Sequence, residues 1–263
     1  MFDLEIIGCG KMGRAILEGV VRSGTVSEAD IAVIDLNPTV QDSLRGDRPA
    51  VALLDLPVPA KLILIATKPN MVEEVCSLVD TTGHPILISI AAGISIATIE
   101  RSLGSSKVKV VRAMPNMPGQ IGLGITAISP GTATSTDDLG LARKLLEALG
   151  DVVVVPESQQ DAVTALSGSG PAYLFMYIEA MIDIGVELGL TQDLAAHLVS
   201  KTILGSTQLL IESGFDTLSL RRSVSSPGGT TIAATNALEA LSFRRAIASA
   251  VRVAYERALA MHR

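Results

Sequence analysis

Apolar residues follow two different patterns along this chain. Up to about residue 155, short apolar runs alternate with stretches of mixed polarity, and beyond Pro156 long stretches with helical spacing succeed one another. The first pattern predicts strands separated by helices in a parallel, doubly wound sheet, and the second predicts an all-helical region. We therefore expect an α/β chain with one domain over residues 1–156 and a second, helical domain over 157–263. Strands are predicted at 4–7, 31–34, 51–54, 62–66, 86–90, 108–111, 121–129 and 152–155, with helices at 15–23, 136–149, 171–190 and 232–241.

The predicted helix over 171–190 is apolar around most of its circumference. Its charges are Glu179, Asp183 and Glu187, which are four residues apart and therefore lie on one stripe. Such a helix is most stable when it is covered on several sides. We expect the cover to come from a second subunit, in a homodimer or a larger homo-oligomer, and the alternative is cover by neighbouring helices of the same chain.

The first predicted strand runs directly into a glycine-rich segment with the spacing GxGxxG. In such a loop the first glycine makes a tight turn, the second admits a pyrophosphate, and the third lets the next helix pack on the sheet. A second strand that ends at Asp35 completes the context of a dinucleotide-binding, Rossmann-like domain. A purely structural glycine turn is the alternative. The loop residues are Gly8, Cys9, Gly10, Lys11, Met12 and Gly13.

Composition excludes several classes of function. The formal net charge is −6, and the chain has three Tyr, four Phe and no Trp, which argues against nucleic-acid and membrane partners. No signal-like segment or membrane-length apolar run is evident, so we expect a cytoplasmic protein. The two cysteines and three histidines lack metal-ligand spacing, and neither HExxH nor GxSxG occurs, so a metal site and serine hydrolysis are not expected.

Three short segments that contain glycine or proline follow directly after predicted strands. They are expected at the edge where an open parallel sheet binds its ligands. Lys68 is placed to meet the nicotinamide or its ribose, small residues at the second segment leave room for a flat ring, and Asn116 offers an amide to a ligand. The alternative for each segment is an ordinary surface loop at the end of a strand, with no role in binding. The segments are Ala66-Thr67-Lys68-Pro69, Ala91-Ala92-Gly93 and Met114-Pro115-Asn116.

A glycine-rich segment in the helical region has the composition of an anion site. Ser226-Pro227-Gly228-Gly229-Thr230-Thr231 directly precedes a predicted helix, so its backbone N–H groups and hydroxyls form a cradle for an anion. Because residues 8–13 already serve the cofactor phosphates, this cradle suggests a carboxylate substrate. The same reasoning applies to the segment 167–171, which is rich in Ser and Gly. The alternative is a structural role, in which its hydroxyls cap a helix.

Taken in order, these motifs, together with Ser167-Gly168-Ser169-Gly170-Pro171-Ala172-Tyr173, resemble those of the pyrroline-5-carboxylate reductase family. The resemblance extends over nearly the whole chain. It implies a Rossmann domain, a helical domain that interlocks two subunits, and reduction of 1-pyrroline-5-carboxylate to L-proline, the last step of proline biosynthesis, with hydride from NADPH or NADH.

The resemblance also implies roles for individual residues. Thr231 takes the place of the hydroxyl near the ring nitrogen and is the expected catalytic residue; Glu157, Gly229 and Thr230 join it in binding the substrate. The stretch 46–60 is shorter and richer in Pro than is usual in the family, so no adenine-side residue is carried over from it. The cofactor residues implied are Gly8, Cys9, Gly10, Lys11, Met12, Gly13, Asn37, Ala66, Thr67, Lys68, Ala91, Gly93 and Ser223.

The residues at the end of the second strand leave the choice between NADPH and NADH open. A carboxylate such as Asp35 usually binds the ribose 2′-hydroxyl and repels a 2′-phosphate, which favours NADH. The family is more often associated with NADPH, and Asn37 offers a donor to a phosphate. We expect NADPH to be preferred and NADH to be used as well.

Two other interpretations remain. A β-hydroxyacid dehydrogenase shares a similar glycine loop and a helical second domain, and Lys201 is then the candidate catalytic residue. A non-catalytic dinucleotide-binding sensor retains the loop but has no need of the cradle at 226–231.

Overall fold

The α/β class expected from the hydrophobic pattern is confirmed. A computed structural model describes residues 1–104 and 107–261, which divide into two compact units. The first unit contains Met1–Ser169 together with Ala254–Arg263, and the second contains Gly170–Val253. The predicted domain boundary at 156/157 precedes this division, because residues 157–169 make their contacts in the first unit.

An eight-stranded sheet organises the first unit, in the order β3-β2-β1-β4-β5-β6-β7-β8. Every neighbouring pair is parallel except β6 with β7. The order reverses beside β1, and that switch point is where open α/β sheets bind ligands. The strands are β1 (Phe2–Ile7), β2 (Ile31–Ile34), β3 (Ala52–Leu53), β4 (Ala60–Ile65), β5 (Ile86–Ser89), β6 (Lys109–Met114), β7 (Gly124–Pro130) and β8 (Gly150–Val154).

Several predicted boundaries were wrong, and two of them have the same cause. The strand expected from residue 121 begins only at Gly124, because Met117–Ile121 closes a 3₁₀ turn that ends at Gly122 with φ of 75°. The helix expected to reach residue 149 ends at Leu146 and tightens into a 3₁₀ turn over Glu147–Leu149. In both places tight i→i+3 turns consume residues that the apolar pattern assigned to the regular element.

Aliphatic clusters cover both faces of the sheet. One cluster joins β1 to α1 and α5 through residues such as Ile16 and Leu145, and the other joins β4 and β5 to α3 and α4 through residues such as Val72 and Ile99. Cys76 is buried in the second cluster, as expected for a core thiol. The helices of this unit are α1 (Lys11–Ser23), α2 (Pro38–Asp47), α3 (Val72–Leu78), α4 (Ile96–Ser102), α5 (Thr136–Leu146) and α6 (Gln160–Val163), followed by a π-helical turn at Thr164–Gly168.

The second unit is helical. In it α7 and α8 pack as an antiparallel pair, with Gly185 of α7 lying close to Ala195 of α8. The remaining apolar side chains of α7 are largely exposed, among them Met176 at 73% and Phe175 at 50%. The helices are α7 (Gly170–Glu187), α8 (Gln192–Glu212), α9 (Thr217–Ser223), α10 (Thr230–Ala240) and α11 (Phe243–Leu259), whose last residues, from Ala254, belong to the first unit.

Glu5 is a charged residue in the middle of buried strand β1. It is 0% exposed, and burial raises the pKa of its carboxyl from 4.5 to about 7, against a hydrogen bond from Val58 that lowers it. The folded chain therefore holds a proton between pH 4.5 and 7 that the unfolded chain releases.

Folding stability is accordingly expected to fall as the pH rises through that window, by about 3 kcal/mol in the free energy of unfolding. Glu5→Gln, which does not titrate, removes this dependence. Urea unfolding at a series of pH values checks it, and a slope in Glu5→Gln as steep as in the parent chain contradicts it.

Candidate active site

The glycine loop is built by close backbone packing at the end of β1. Gly8 has φ of +92°, and a Cβ there would lie 2.9 Å from the Ala66 carbonyl carbon and oxygen. A Cβ at Gly13 would overlap the Gly8 carbonyl oxygen, so α1 begins in direct contact with the loop. Gly10 is different, since a Cβ there meets no described atom within 4 Å. The first and third glycines are thus required by packing, and the second leaves space for a ligand.

A cavity of about 520 Å³ opens beside this loop, at the switch point of the sheet. The buried hydroxyl of Thr67 lacks a hydrogen-bond partner among the described residues, which fits a site that a polar ligand completes. The glycine backbone and the orphaned hydroxyl together fit a dinucleotide. The cavity is lined by Ile7, Gly8, Gly10, Ile34, Asp35, Leu36, Asn37, Val40, Asp55, Leu56, Pro57, Ala66, Thr67, Lys68, Met71, Glu74, Val75 and Leu78.

Asp35 connects the end of β2 to the glycine loop. Its carboxylate accepts hydrogen bonds from the backbone N–H groups of Cys9, at 2.6 Å, and Asn37, at 2.8 Å. The Asn37 side chain caps α2 by accepting from the Thr39 N–H, so its NH₂ group is the part left to donate to a ligand. Cys9 itself is buried, and burial raises the pKa of its thiol to about 12. The thiol is therefore protonated at neutral pH, and Cys9 is not among the residues that line the cavity.

The segments after β4 and β5 differ in their surroundings. Lys68 is exposed at the start of a 3₁₀ turn, Pro69–Met71, and lines the cavity. Ala91 is buried, whereas Gly93 has φ of +75°, and a Cβ on it would lie 2.6 Å from Cβ of Met261. The end of the chain thus packs against the Gly93 backbone and explains why a glycine is needed there.

Glu157 is held by two groups of the first unit. Its Oε1 accepts from the Ile96 N–H at 2.7 Å, in the first turn of α4, and from Arg112 at 3.2 Å. Arg112, only 3% exposed, also reaches Asp161 at 3.4 Å. The Glu157 side chain is one-third exposed, so it combines this structural role with a surface open to a ligand.

Both polar atoms of the Asn116 side chain have hydrogen-bond partners within the chain. Its Oδ1 accepts from the Ile125 N–H at 3.0 Å, and its Nδ2 donates to the Ser167 carbonyl at 3.3 Å. The Ser167 hydroxyl in turn bonds the Val163 carbonyl. Asn116 therefore ties the end of β6 to the π-helical turn.

The cradle predicted at residues 226–231 has the geometry of an open helix N-terminus. Pro227 and Gly228, with φ of +71°, form a turn closed by the Gly229 N–H donating to the Ser226 carbonyl at 3.0 Å. Gly229 is the N-cap of α10, and no side chain caps it. The N–H groups of the first turn consequently face outward, as an anion site requires. Ser223 lies at the end of α9, with its hydroxyl bonded to the Leu220 carbonyl.

Comparison with known proteins decides the family. A family model described as pyrroline-5-carboxylate reductase dimerisation matches residues 157–261, and one described as NADP oxidoreductase coenzyme F420-dependent matches residues 3–93. The pyrroline-5-carboxylate reductase of Synechocystis is 39% identical, over 97% of this chain and 96% of its own length. The chain belongs to the pyrroline-5-carboxylate reductase family.

Solved structures of the family have the same fold. The enzyme from Coxiella burnetii is 31% identical, with a TM-score of 0.89, and the alignment covers 100% of this chain and 99% of that one. The Plasmodium falciparum enzyme, whose structure has NADP bound, is 27% identical, with a TM-score of 0.90 over 100% and 98% of the two chains. The resemblance inferred from the motifs, and with it the fold of both regions, is confirmed.

Sequence reasoning missed several residues of this region. Asp55, Leu56 and Pro57 line the cavity although no role was assigned to residues 46–60. Arg112 and Asp161 were also missed, because a charge inside an apolar strand is visible in the sequence but its partner is not. Within the described residues there is no group of three or more His, Cys, Asp or Glu arranged to hold a metal ion.

Gly10 and Gly13 make a matched pair for testing the loop. Gly10→Ala is expected to leave the free energy of unfolding unchanged and to weaken cofactor binding at least about tenfold, or ~1.4 kcal/mol, because its methyl group points into open space. Gly13→Ala is expected to destabilise the fold itself by about 1 to 3 kcal/mol, since the methyl meets backbone. Cofactor titration and urea unfolding of both variants check this. Full cofactor affinity in Gly10→Ala means that the pyrophosphate does not pass over Gly10.

Proposed function

We propose that this chain is an NAD(P)H-dependent reductase that converts 1-pyrroline-5-carboxylate to L-proline. The observation that carries the proposal is family membership over nearly the whole chain, joined to a cavity at the switch point whose glycine loop and orphaned hydroxyl fit a dinucleotide. The open N-terminus of α10 supports an anionic substrate. No observation favours the hydroxyacid dehydrogenase alternative. The side chain of Lys201 is exposed on α8 and has no hydrogen-bond or ion-pair partner among the described residues.

Residues of the first unit hold the cofactor in this proposal. The backbone of Gly8 to Gly13 receives the pyrophosphate at the N-terminus of α1. Ala66, Thr67, Lys68, Ala91 and Gly93 line the ribose and nicotinamide. When bound, the cofactor supplies the hydride that reduces the C=N bond of the substrate.

Residues of the second unit hold the substrate. The backbone N–H groups at Gly229 and Thr230 bind the carboxylate. Ser223 contacts the cofactor. The Thr231 hydroxyl donates a hydrogen bond to the ring nitrogen and orients it. A cyclic imine is basic enough to be protonated readily, so a positioned hydroxyl suffices and no strong general acid is needed. The chain's contribution is therefore mainly to position the reactants.

The cofactor in this proposal is NADP, with NADPH preferred and NADH also used. The Asp35 carboxylate is occupied by two backbone N–H groups, and Asn37 offers an amide donor to a 2′-phosphate. The negative charge of Asp35 nonetheless lies at the end of β2, where the ribose 2′ position is expected.

Asp35→Asn is expected to raise the ratio of kcat/KM for NADPH over NADH on the order of tenfold, because it removes a negative charge that opposes the 2′-phosphate. Any loosening of the glycine loop affects both cofactors equally, so the ratio isolates the charge. Steady-state kinetics with each cofactor checks it. An unchanged ratio places the 2′ position away from Asp35.

The active form in this proposal is a homodimer or a larger homo-oligomer. The match to a dimerisation family over 157–261 and the exposed apolar side chains of α7 support it. Within the described residues one helix, α8, reaches the length and hydropathy of a membrane span, with 6% of that window buried. A subunit interface explains this apolar surface equally well, and such a single helix is weak evidence for a membrane. The cytoplasmic location stays a prediction.

Oxidation of NADPH and NADH by purified protein tests the function. The substrates are 1-pyrroline-5-carboxylate and a panel of 2- and 3-oxo acids, and the product is identified as proline by mass spectrometry. We expect proline with the imine and no turnover of the oxo acids. Activity with oxo acids alone overturns the proposal and makes Lys201 the residue to test.

A further inference from the structure

The connection between β3 and β4 is unusually short for parallel strands. Residues 54–59 pass from Leu53 to Ala60, and in the sheet order they cross β2 and β1. Three strand spacings amount to about 14 Å, whereas six extended residues reach at most about 20 Å. Parallel strands are usually joined by a dozen or more residues that include a helix. The connector formed by residues 54–59 therefore crosses two strands without a helix, and the chain bends at Asp55 and Leu56.

A connector without a helix needs other partners for its backbone. Pro57 and Pro59 have no N–H group, and the Leu54 N–H donates to the Val33 carbonyl at 3.0 Å. The Val58 N–H, which lies between the two prolines, donates to Oε1 of Glu5 at 2.9 Å. The bond crosses 53 residues of sequence and joins the connector to the strand beneath it.

The carboxyl group of Glu5 costs free energy at its buried position. It is fully buried in β1, between Ala32 of β2 and Ile63 of β4, and its Oε2 has no hydrogen-bond partner among the described residues. Asp80 is the other charged group that acts on it, and its charge further opposes ionisation of Glu5. An apolar residue would suit this strand better, so the bond to Val58 is the one favourable polar contact that the structure gives this side chain.

The connector also forms a wall of the cofactor cavity. Asp55, Leu56 and Pro57 line it, together with Asp35 and Asn37 at the end of β2. In a Rossmann-like sheet that end of the site receives the adenosine half of the cofactor. The position of this wall depends on what holds residue 58, one residue further on.

We propose that Glu5 is a positioning residue that tethers the connector through Val58 and thereby sets the adenosine-side wall of the cofactor cavity. This inference rests on the proposed function, in that the cavity is taken to bind NADPH. Glu5 does not touch the cofactor and acts only through the connector.

Two substitutions separate the tether from simple burial. Glu5→Leu fills similar space but has no acceptor, whereas Glu5→Gln retains a carbonyl oxygen for the Val58 N–H. We expect Glu5→Leu to raise the dissociation constant for NADPH at least tenfold, and that for 2′,5′-ADP by a similar factor, with kcat at saturating NADPH and the KM for the imine within twofold of the parent chain. Glu5→Gln is expected to bind both ligands within twofold of the parent. Titration of NADPH fluorescence, and its competition by 2′,5′-ADP, gives the constants.

Equal binding by Glu5→Leu and the parent chain overturns the inference, as does an equal loss in Glu5→Gln. Failure of the parent chain itself to bind NADPH is a failure of the proposed function and is seen before any variant is made. Hydrogen exchange in the unmodified protein needs no variant. A Val58 amide protected relative to the exposed Leu56 amide supports the tether, and equal exchange at the two positions overturns it.

Discussion

Thr231→Ala is expected to lower kcat about 10²-fold, equivalent to ~2.7 kcal/mol in the free energy of activation, with the dissociation constant for NADPH unchanged. The hydroxyl is proposed to stabilise the ring nitrogen as hydride reaches the adjacent carbon, so its loss acts on the chemical step. Thr231 is half-buried in the first turn of α10, where Ala is a good helix former, and we expect the fold to be retained. Single-turnover kinetics at saturating NADPH measures the effect.

Two controls accompany Thr231→Ala. Thr231→Ser retains the hydroxyl and is expected to recover most of the activity. Thr235→Ala removes a hydroxyl one turn further along α10, which bonds the Thr231 and Ile232 carbonyls, and should leave kcat within about twofold. Unchanged turnover in Thr231→Ala contradicts the role, and an equal loss in Thr235→Ala shows that the helix rather than the hydroxyl was disturbed.

Arg112→Met is expected to destabilise the fold by about 3 to 5 kcal/mol. The guanidinium is buried in β6 and faces the carboxylates of Glu157 and Asp161. Its removal takes this cation away from the buried Asp161 carboxylate and the one-third exposed Glu157 carboxylate. Glu157 also caps the first turn of α4 through Ile96, and the loss is therefore expected to reach that helix. The free energy of unfolding in urea, measured at one protomer concentration, checks the value.

Arg143→Met is the matched control for Arg112→Met. It breaks a contact of the same kind, with Glu147 at 2.9 Å, but both side chains are about half exposed. An exposed pair contributes less than about 1 kcal/mol, so this variant should be close to the parent chain. Equal effects of the two substitutions, or a loss below 1 kcal/mol for Arg112→Met, show that burial does not strengthen the contacts of Arg112 with Glu157 and Asp161.

The elements that sequence predicted well are those whose cause is local. β1, Gly8 and α1 follow one another within a few residues, and the spacing of three glycines reports a packing requirement that the structure confirms between Gly8 and Gly13. The turn at Pro227 and Gly228 is local in the same sense, because each residue type sets its own φ. The α/β class also follows from pattern, since alternation of short apolar runs with helices leaves few other architectures.

Element ends were predicted less well, since the apolar pattern does not distinguish a strand from the tight turn before it. Residues 121–123 and 147–149 carry the same apolar residues as their neighbours, yet they form turns or the approach to a strand. Hydrogen-bond geometry at the edge of the sheet, rather than composition, decides where each element ends.

Contacts between distant residues were decided by the tertiary structure alone. Glu5 meets Val58, Arg112 meets Asp161, and Gly93 meets Met261, and in each case the sequence shows an unusual residue without showing its partner. A carboxylate or guanidinium inside an apolar strand signals that a partner is needed, because burial of an unpaired charge is costly. Which residue supplies that partner depends on how segments 49 or more positions apart are brought together, and local spacing carries no record of that. Sequence thus determined the family, the fold class and the glycine loop, whereas packing decided how the walls of the site are held.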